Sequence, residues 1–568
     1  QDFNGYSFAI NGKTDGHARL DASTQVMAPL VGALLHPAPK SALVIGLGTG
    51  SSAGWLAAVP GMERVDVVEL EPAVVRVARD CAPTNHEVLT DPRVHLTIGD
   101  GREMLLTSDR RWDVIFSEPS NPYRAGIASL FTTEFYRAAA ERLAPGGFFL
   151  QWLQAYEIDA EVVASVYTSL GAVFPSVETW ATNNGDLLLV ASLRPLRHDV
   201  ARERRRLASE PYQRALADTW GVFDAEGLYS GFIASPAFAR RMANAGAPPN
   251  VDDLPVIEFG FARDLGGGDF SIAQLRQAVL PAESRPAEIA GVDWAQAAGL
   301  LPARELMSGR GGPQGQLGAA ASVKWLAERW QPPAGTTATV PHSLVGLLVG
   351  IEALADRGDV RAAAAAQQLA ADRPVEADAL LARLAWRRGE RDAAVAHFVR
   401  AFTGYRHDPW PWPLLMERAL FLALEMGREP ALGERLMPAL GEPFAVRMLE
   451  RSRLRALAGI AARVPGQACR QPFHRLEPYP PWEESLLRDR ATCYRRTGDP
   501  LAEQARRDLE RFDSARSLTV AERLAIGGRE RDAGVALRKP AGSPPSSPLP
   551  APPAQLPPSV PPPPPRRP

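Results

Sequence analysis

Short apolar runs recur through the first two hundred residues, and each has the length of a strand rather than a helix. Ala42–Ile45, Arg64–Val68, Val94–Ile98, Trp112–Phe116, Gly147–Trp152 and Asp186–Ala191 read as strands, the apolar ones buried on both faces. Between them the apolar spacing becomes helical, as in Ser51–Ala58 and in Pro72–Asp80, which has proline in its first turn. Strands alternating with helices predict an α/β fold with a doubly wound, mainly parallel sheet over about residues 41–195. Upstream, in residues 1–40, FAINGKTDG predicts a strand and an Asn-Gly turn, and Thr24–Leu35 a helix.

The pattern changes twice further on. Residues 196–339 mix an Arg-rich helix at Ala201–Leu207, a loop around Pro248–Pro255 and a glycine break at Gly266–Gly268. Residues 340–535 are rich in Ala, Leu and Arg at helical spacing, with connectors at Gly358, Gly389, Gly427 and Gly498. Their intervals of 31, 38 and 71 residues lie near the period of about 34 expected for tetratricopeptide helix pairs, the last one doubled; an irregular helical bundle is the alternative. Residues 536–568, ending in PPSVPPPPPRRP, predict a disordered Pro-rich tail.

Composition narrows the function classes. A chain of 568 residues needs two or three cores, and 63 basic against 65 acidic residues leave no electrostatic footprint for nucleic acid. Cys81, Cys469 and Cys493 show no zinc or disulfide spacing, so free thiols are expected, and the nine histidines form no cluster, so no metal is expected. No apolar run approaches the 18 or so residues of a membrane span; Leu344–Ala355 is broken by Glu352, which predicts a soluble chain. The sequence opens on Gln1 and Asp2 without an initiator Met, so residues upstream of it are expected.

Candidate chemistry gathers at successive strand ends, where open parallel sheets bind their ligands. Gly46, Gly48 and Gly50 follow the strand Ala42–Ile45 and suit the close approach of a ligand to a helix N-terminus. Glu69 lies about 20 residues on, at the spacing of a ribose-binding carboxylate. Asp100 and Gly101 end the third strand, placed for an adenine amino group and ring, and Glu118 ends the fourth, just inside EPSNP. An isolated acidic residue at such a place is as readily a helix cap. Four in order predict an adenosine site. The absence of GxGxxG phosphate geometry points to a nucleoside without pyrophosphate, S-adenosylmethionine or its decarboxylated form, as co-substrate rather than tightly bound cofactor.

VDVVELEP, GDGREML, SEPSNPYRAGIASLFTTEFY and LAPGGFFLQWLQ together resemble the spermidine synthase (polyamine aminopropyltransferase) superfamily over about residues 5–195. EPSNP and VDDLPVIEF at Val251–Phe259 look like the bacterial fused spermidine synthase-like proteins, in which membrane spans precede the synthase domain. The resemblance implies a class I methyltransferase-like fold and aminopropyl transfer from decarboxylated S-adenosylmethionine to a small-molecule amine. It also implies membrane attachment through upstream residues, with this chain on the bacterial cytoplasmic face.

By the same resemblance Gln25, Glu69, Asp100 and Gly101 become nucleoside contacts and Glu118 the catalytic base. Asn121, Gln151 and Tyr123 would orient the acceptor. Two departures weaken the amine pocket: Thr49 stands where the family's glycine loop carries an aspartate, and Asn121 replaces a second loop aspartate. Glu157, Asp159 or Glu161 would have to compensate. Two other readings stay open: methyl transfer from S-adenosylmethionine, and a nucleoside-binding scaffold whose helical repeats recruit a protein partner.

Overall fold

The computed structural model describes residues 5–10, 13–122, 126–264, 266–268, 270–308, 343–466 and 468–516. Tyr123 and the Pro-rich tail lie outside the described residues. Residues 1–500 form one compact unit and 501–568 a second, in which the helix Ala502–Arg516 is described.

Ten strands run along the described chain: β1 (Ser7–Ile10), β2 (Lys13–His17), β3 (Ser41–Ile45), β4 (Arg64–Glu69), β5 (Val94–Ile98), β6 (Trp112–Ser117), β7 (Leu143–Gln154), β8 (Ser176–Ala181), β9 (Asp186–Ser192) and β10 (Phe232–Ala234). Eight of these form one sheet in the order β10-β8-β9-β7-β6-β3-β4-β5. The five strands β5, β4, β3, β6 and β7 are parallel, and β9, β8 and β10 continue the sheet antiparallel. Apolar side chains alternate between two cores. Val44, Val114, Phe116 and Leu150 face the helices Met27–Leu35 and Ser51–Ala57, while Leu43, Ile115, Phe149 and Leu153 face Thr133–Glu141 and Ala160–Gly171. This is the methyltransferase-like layering of a doubly wound sheet.

The structure adds to the sequence reading at several points. β7 is twice the expected length, β8 and β10 were not expected, and β10 carries the sheet beyond residue 195. The helix expected over 24–35 is two, Ala22–Gln25 and Met27–Leu35, joined through Val26. β1 and β2 pair as a separate hairpin that tethers the N-terminal segment to the helical region, where the Tyr6 N–H donates to the Val446 carbonyl at 2.8 Å.

Helices joined by short turns fill most of residues 344–497, beginning with Leu344–Asp356 and Arg361–Leu369, then Pro374–Arg387 and Arg391–Gly404. Gly358, Gly389 and Gly498 terminate helices in the left-handed conformation, but Gly427 does not. The doubled interval between Gly427 and Gly498 is occupied by Pro430–Gly441, Glu450–Ala461, Arg470–His474 and Glu484–Thr497. These helices pack against the sheet region: Arg373 pairs with Asp218, and the Arg19 guanidinium lies 5.1 Å from the Trp410 ring centroid. No helix among the described residues is long and apolar enough to cross a membrane.

The expectation of three free thiols is corrected. Cys469 and Cys493 form a disulfide, with Cα atoms 6.2 Å apart, and only Cys81 is free. Spacing alone could not reveal this, because the chain must first run through Arg470–His474 and return along Glu484–Thr497 to bring the two together.

One buried network at the sheet edge carries a pH prediction. His198 bonds Glu178 at 2.7 Å through Nε2 and the Tyr229 hydroxyl at 2.7 Å through Nδ1, and that hydroxyl donates to Glu203 at 2.7 Å. Burial alone would lower the His198 pKa, but Glu178 outweighs it and the net direction is up. A raised folded pKa stabilises fully below the unfolded value of about 6.5, and the gain is lost as pH rises through the folded value. His198→Gln should therefore lower Tm more at pH 6 than at pH 9, measured by calorimetry.

Candidate active site

The glycine loop is shaped by contact with the end of β6. Gly46 has φ +100°, and a Cβ there would lie 2.7 Å from the Glu118 carbonyl oxygen, so only glycine lets the two strand ends come this close. The Glu118 N–H donates to the Ile45 carbonyl at 3.1 Å, extending the β3–β6 ladder by one residue. Glu118 is thereby held beside Gly46, Gly48 and Gly50, at the N-terminus of Ser51–Ala57.

Ser52, in the first turn of that helix, donates to Glu118 Oε2 at 2.7 Å and lies 2.9 Å from the Gln25 carbonyl. Although some of the Glu118 surface reaches solvent, protein surrounds the carboxyl. Burial pushes its pKa up, the Ser52 hydroxyl opposes this, and the nearby charge of Asp186 adds to it; the result is about 7. Serine can serve either state. It donates to the carboxylate, and when Glu118 is protonated it can accept from the acid while turning its own hydrogen to Gln25.

Thr49 and Gln25 form a closed pair. The Thr49 hydroxyl donates to Gln25 Oε1 at 2.6 Å, and the Thr49 carbonyl accepts from Asn85 Nδ2 at 2.8 Å. The loop position thus carries a neutral hydroxyl already bonded within the protein.

At the outer strand ends the carboxylates are tied to backbone amides. Glu69 Oε2 accepts from the Leu47 N–H and Oε1 from the Glu71 N–H, both at 2.8 Å, which locks the carboxylate against the glycine loop. Asp100 caps the helix Gly101–Thr107, with Oδ1 accepting from the Arg102 and Glu103 amides at 2.6 and 3.2 Å. A Cβ at Gly101 would fall 2.5 Å from Ile45 Cγ2, so packing by itself accounts for that glycine. Arg102 grips Asp252 through both guanidinium nitrogens and holds the Asp252 pKa down. The turn at 251–254 is thus strapped to the helix that Asp100 caps, with Asp252 as the anchor.

The acceptor side differs from expectation. Asn121 is buried and donates to Gln154 Oε1, while Gln154 Nε2 donates to the Tyr156 carbonyl at 2.8 Å. Gln151, expected beside Asn121, is fully buried on the opposite face of β7 with Phe149 and Leu153, donating to the Trp152 carbonyl at 3.0 Å. Side chains alternate along a strand, so the strand-end amide on the Glu118 side is Gln154, three residues on. Asp159 does not compensate for the lost charges: it caps Ala160–Gly171 and pairs with Arg263 at 2.7 Å. Glu161 is an exposed residue of the same helix's first turn.

A carboxylate that sequence reasoning passed over lies here instead. Asp186 opens β9 directly opposite Gln154 and is 2% exposed. Its Oδ2 accepts from Thr24 Oγ1 at 2.7 Å and Asn183 Nδ2 at 2.6 Å. Burial raises its pKa, against the bonds from Thr24, Asn183 and Trp152. Asp15 of β2 also approaches the loop, accepting from the Ser120 hydroxyl at 2.6 Å. An acidic residue opening an otherwise apolar strand, GDLLLVAS at Gly185–Ser192, was the available signal for Asp186. No group of metal-ligating side chains occurs among the described residues.

Comparison with known proteins agrees with the sequence motifs. Residues 22–183 match the family model of the spermine/spermidine synthase domain. A stretch of 149 residues is 36% identical to the polyamine aminopropyltransferase of Nitrosomonas europaea, covering 26% of this chain and 46% of that one. The polyamine aminopropyltransferase of Thermoanaerobacter sp. is 30% identical over 145 residues, 26% of this chain and 52% of that one. The chain therefore spans about half the length of these curated relatives. Among solved structures, the spermidine synthase of Thermotoga maritima is 22% identical with a TM-score of 0.31, covering 46% of this chain and 80% of that one.

Proposed function

We propose, for a chain whose residues 22–183 carry a spermine/spermidine synthase domain, that it moves an aminopropyl group from decarboxylated S-adenosylmethionine to an amine. The observation that carries this reading is Glu118: a carboxyl whose pKa is pushed up to about 7, at a strand end, beside the glycine loop. An amine must lose a proton before it can attack carbon, and a base with a pKa near the working pH takes that proton most effectively. Glu69 would hold the ribose hydroxyls and Asp100, through the oxygen not used as a cap, the adenine amino group. Gln25 and the glycines would line the remaining nucleoside contact. Asn121 would orient the acceptor through Gln154.

A second reading, methyl transfer from S-adenosylmethionine, is favoured by one feature, the neutral and internally bonded Thr49. An aminopropyl ammonium has no carboxylate to meet at that position, whereas S-adenosylmethionine carries a carboxylate beside the same ammonium, which a neutral threonine does not repel. Calorimetry with the two nucleosides separates the readings. Aminopropyl transfer requires tighter binding of the decarboxylated form and production of methylthioadenosine with a diamine such as putrescine; preference for the carboxylated form would overturn it. The helical region is proposed as a protein-binding repeat array.

A further inference from the structure

We propose that Phe8 contacts the donor: its ring forms the outer wall of the glycine loop and takes the positive charge of the sulfonium, a cation to which Thr49 offers no carboxylate. The inference rests on the reading that the donor is a sulfonium nucleoside, and it is the same whether the group transferred is aminopropyl or methyl.

The three loop glycines show where a donor can approach. A Cβ on Gly46 would lie 2.7 Å from the Glu118 carbonyl oxygen, and one on Gly50 would lie 2.7 Å from Val88 Cγ1 and 2.9 Å from Asn85 Nδ2, so both glycines face packed protein. Beyond its own neighbours in the loop, a Cβ on Gly48 would meet a single atom within 4 Å among the described residues, Phe8 Cζ at 3.9 Å. The open side of the loop is therefore the space between Gly48 and the Phe8 ring.

Strand β1 carries Phe8 to this place. Phe8 pairs with Gly16 of β2, where a Cβ would lie 2.6 Å from Phe8 Cε1 and 3.3 Å from Gln25 Nε2. Glycine at position 16 thus lets the ring lie over β2 beside the Gln25 amide, whose Oε1 accepts from Thr49. Three bonds hold the hairpin around the ring. The Tyr6 N–H donates to the Val446 carbonyl at 2.8 Å, the Ala18 N–H to the Tyr6 carbonyl at 2.9 Å, and the His17 N–H to Asp21 Oδ2 at 2.7 Å. Phe8 itself is half-buried, which leaves part of its ring open to a ligand.

The chemistry around the loop gives the ring its role. The Thr49 hydroxyl is neutral and donates to Gln25, and Glu69 is tied to the Leu47 and Glu71 amides. Glu118 meets the loop at Gly46 and is assigned to the acceptor's proton. An aromatic ring attracts a cation placed over its face within about 6 Å of the centroid, and more strongly where water is excluded. A thioether carries no such charge, so the contact favours the donor over the product.

The test is calorimetry on the full chain with each sulfonium and its neutral thioether: decarboxylated S-adenosylmethionine against methylthioadenosine, and S-adenosylmethionine against S-adenosylhomocysteine. Phe8→Leu keeps an apolar side chain and removes the ring. It should weaken the two sulfoniums by about 5- to 30-fold and the two thioethers by less than about twofold. Should Phe8→Leu fail to fold, mono-, di- and trifluorinated phenylalanine placed at position 8 keep the ring's shape while draining its negative face. Sulfonium affinity should then fall with each fluorine, with thioether affinity unchanged. Equal losses for sulfonium and thioether, or no loss for either, would overturn the inference and leave the nucleoside site standing. A wild-type chain that binds neither sulfonium would overturn the sulfonium-donor reading, and the inference with it.

Discussion

Glu118→Gln should abolish aminopropyl transfer, lowering kcat by about 10² to 10⁴ while leaving nucleoside affinity within a few-fold of wild type. Glutamine keeps the length of the side chain and its hydrogen bond with Ser52, 2.7 Å in the native chain, but cannot accept the acceptor's proton. The wild-type pH profile follows from the same group. Only the carboxylate is a base, so kcat/KM should rise with pH through about 7 and then level off. Stability should move the other way. A carboxyl whose folded pKa is raised is most favourable to folding below its unfolded value near 4.5; the penalty grows as pH rises towards 7 and is complete above it. Above that pH Glu118→Gln removes a buried charge, so it should melt later than wild type while having lost its activity. Equal turnover in Glu118→Gln would remove Glu118 as the base, and a lower Tm at pH 8 would contradict the burial that raises its pKa.

How much of this could be read from the chain differs between backbone and side chains. The strands β3 to β6 and the motif order were legible because buried parallel strands are continuous apolar runs with chemistry at their ends. β8 was not: SVETWA mixes polar and apolar residues, and its burial on all sides depends on β9, β10 and the His198 network covering it. Gln151 and Gln154 show the limit at the site. Both end the same strand, and which amide faces Glu118 depends on where β7 terminates; a strand of twelve residues instead of six moves that choice by three positions and across the sheet. The Cys469–Cys493 disulfide was illegible and Asp186 was marked only as an acidic residue opening an apolar strand, for a related reason, since each becomes meaningful through a partner that only tertiary pairing brings near.

Gly54→Ala should be the most damaging single methyl group in the nucleoside half of the protein, costing about 3 kcal/mol or more by overpacking and weakening nucleoside binding with it. Gly54 faces the 82–88 segment from the helix Ser51–Ala57, and a Cβ there would lie 1.8 Å from the Asn85 carbonyl oxygen and 2.7 Å from its carbon. Both are backbone atoms, so no side-chain rotation relieves the clash; helix and segment must separate. Asn85 has no freedom to give, because its Nδ2 donates to the Thr49 carbonyl at 2.8 Å and the Ala78 carbonyl at 2.7 Å. The neighbouring Trp55 indole is likewise bonded to the Thr84 carbonyl at 3.0 Å. Displacement therefore propagates in two directions: to Thr49 and the glycine loop on one side, and to Ser52 with its bond to Glu118 on the other. Gly299 supplies the contrast. It ends the helix Trp294–Gly299 with nothing within 4 Å of an added Cβ, and Gly299→Ala should stay within about 0.5 kcal/mol of wild type. Denaturant unfolding of the two variants measures the difference, and the loss in Gly54→Ala should appear together with reduced affinity for methylthioadenosine. A Gly54→Ala protein as stable as wild type would mean that the helix does not press on Asn85, and that Ser52 is not held against Glu118 by that contact.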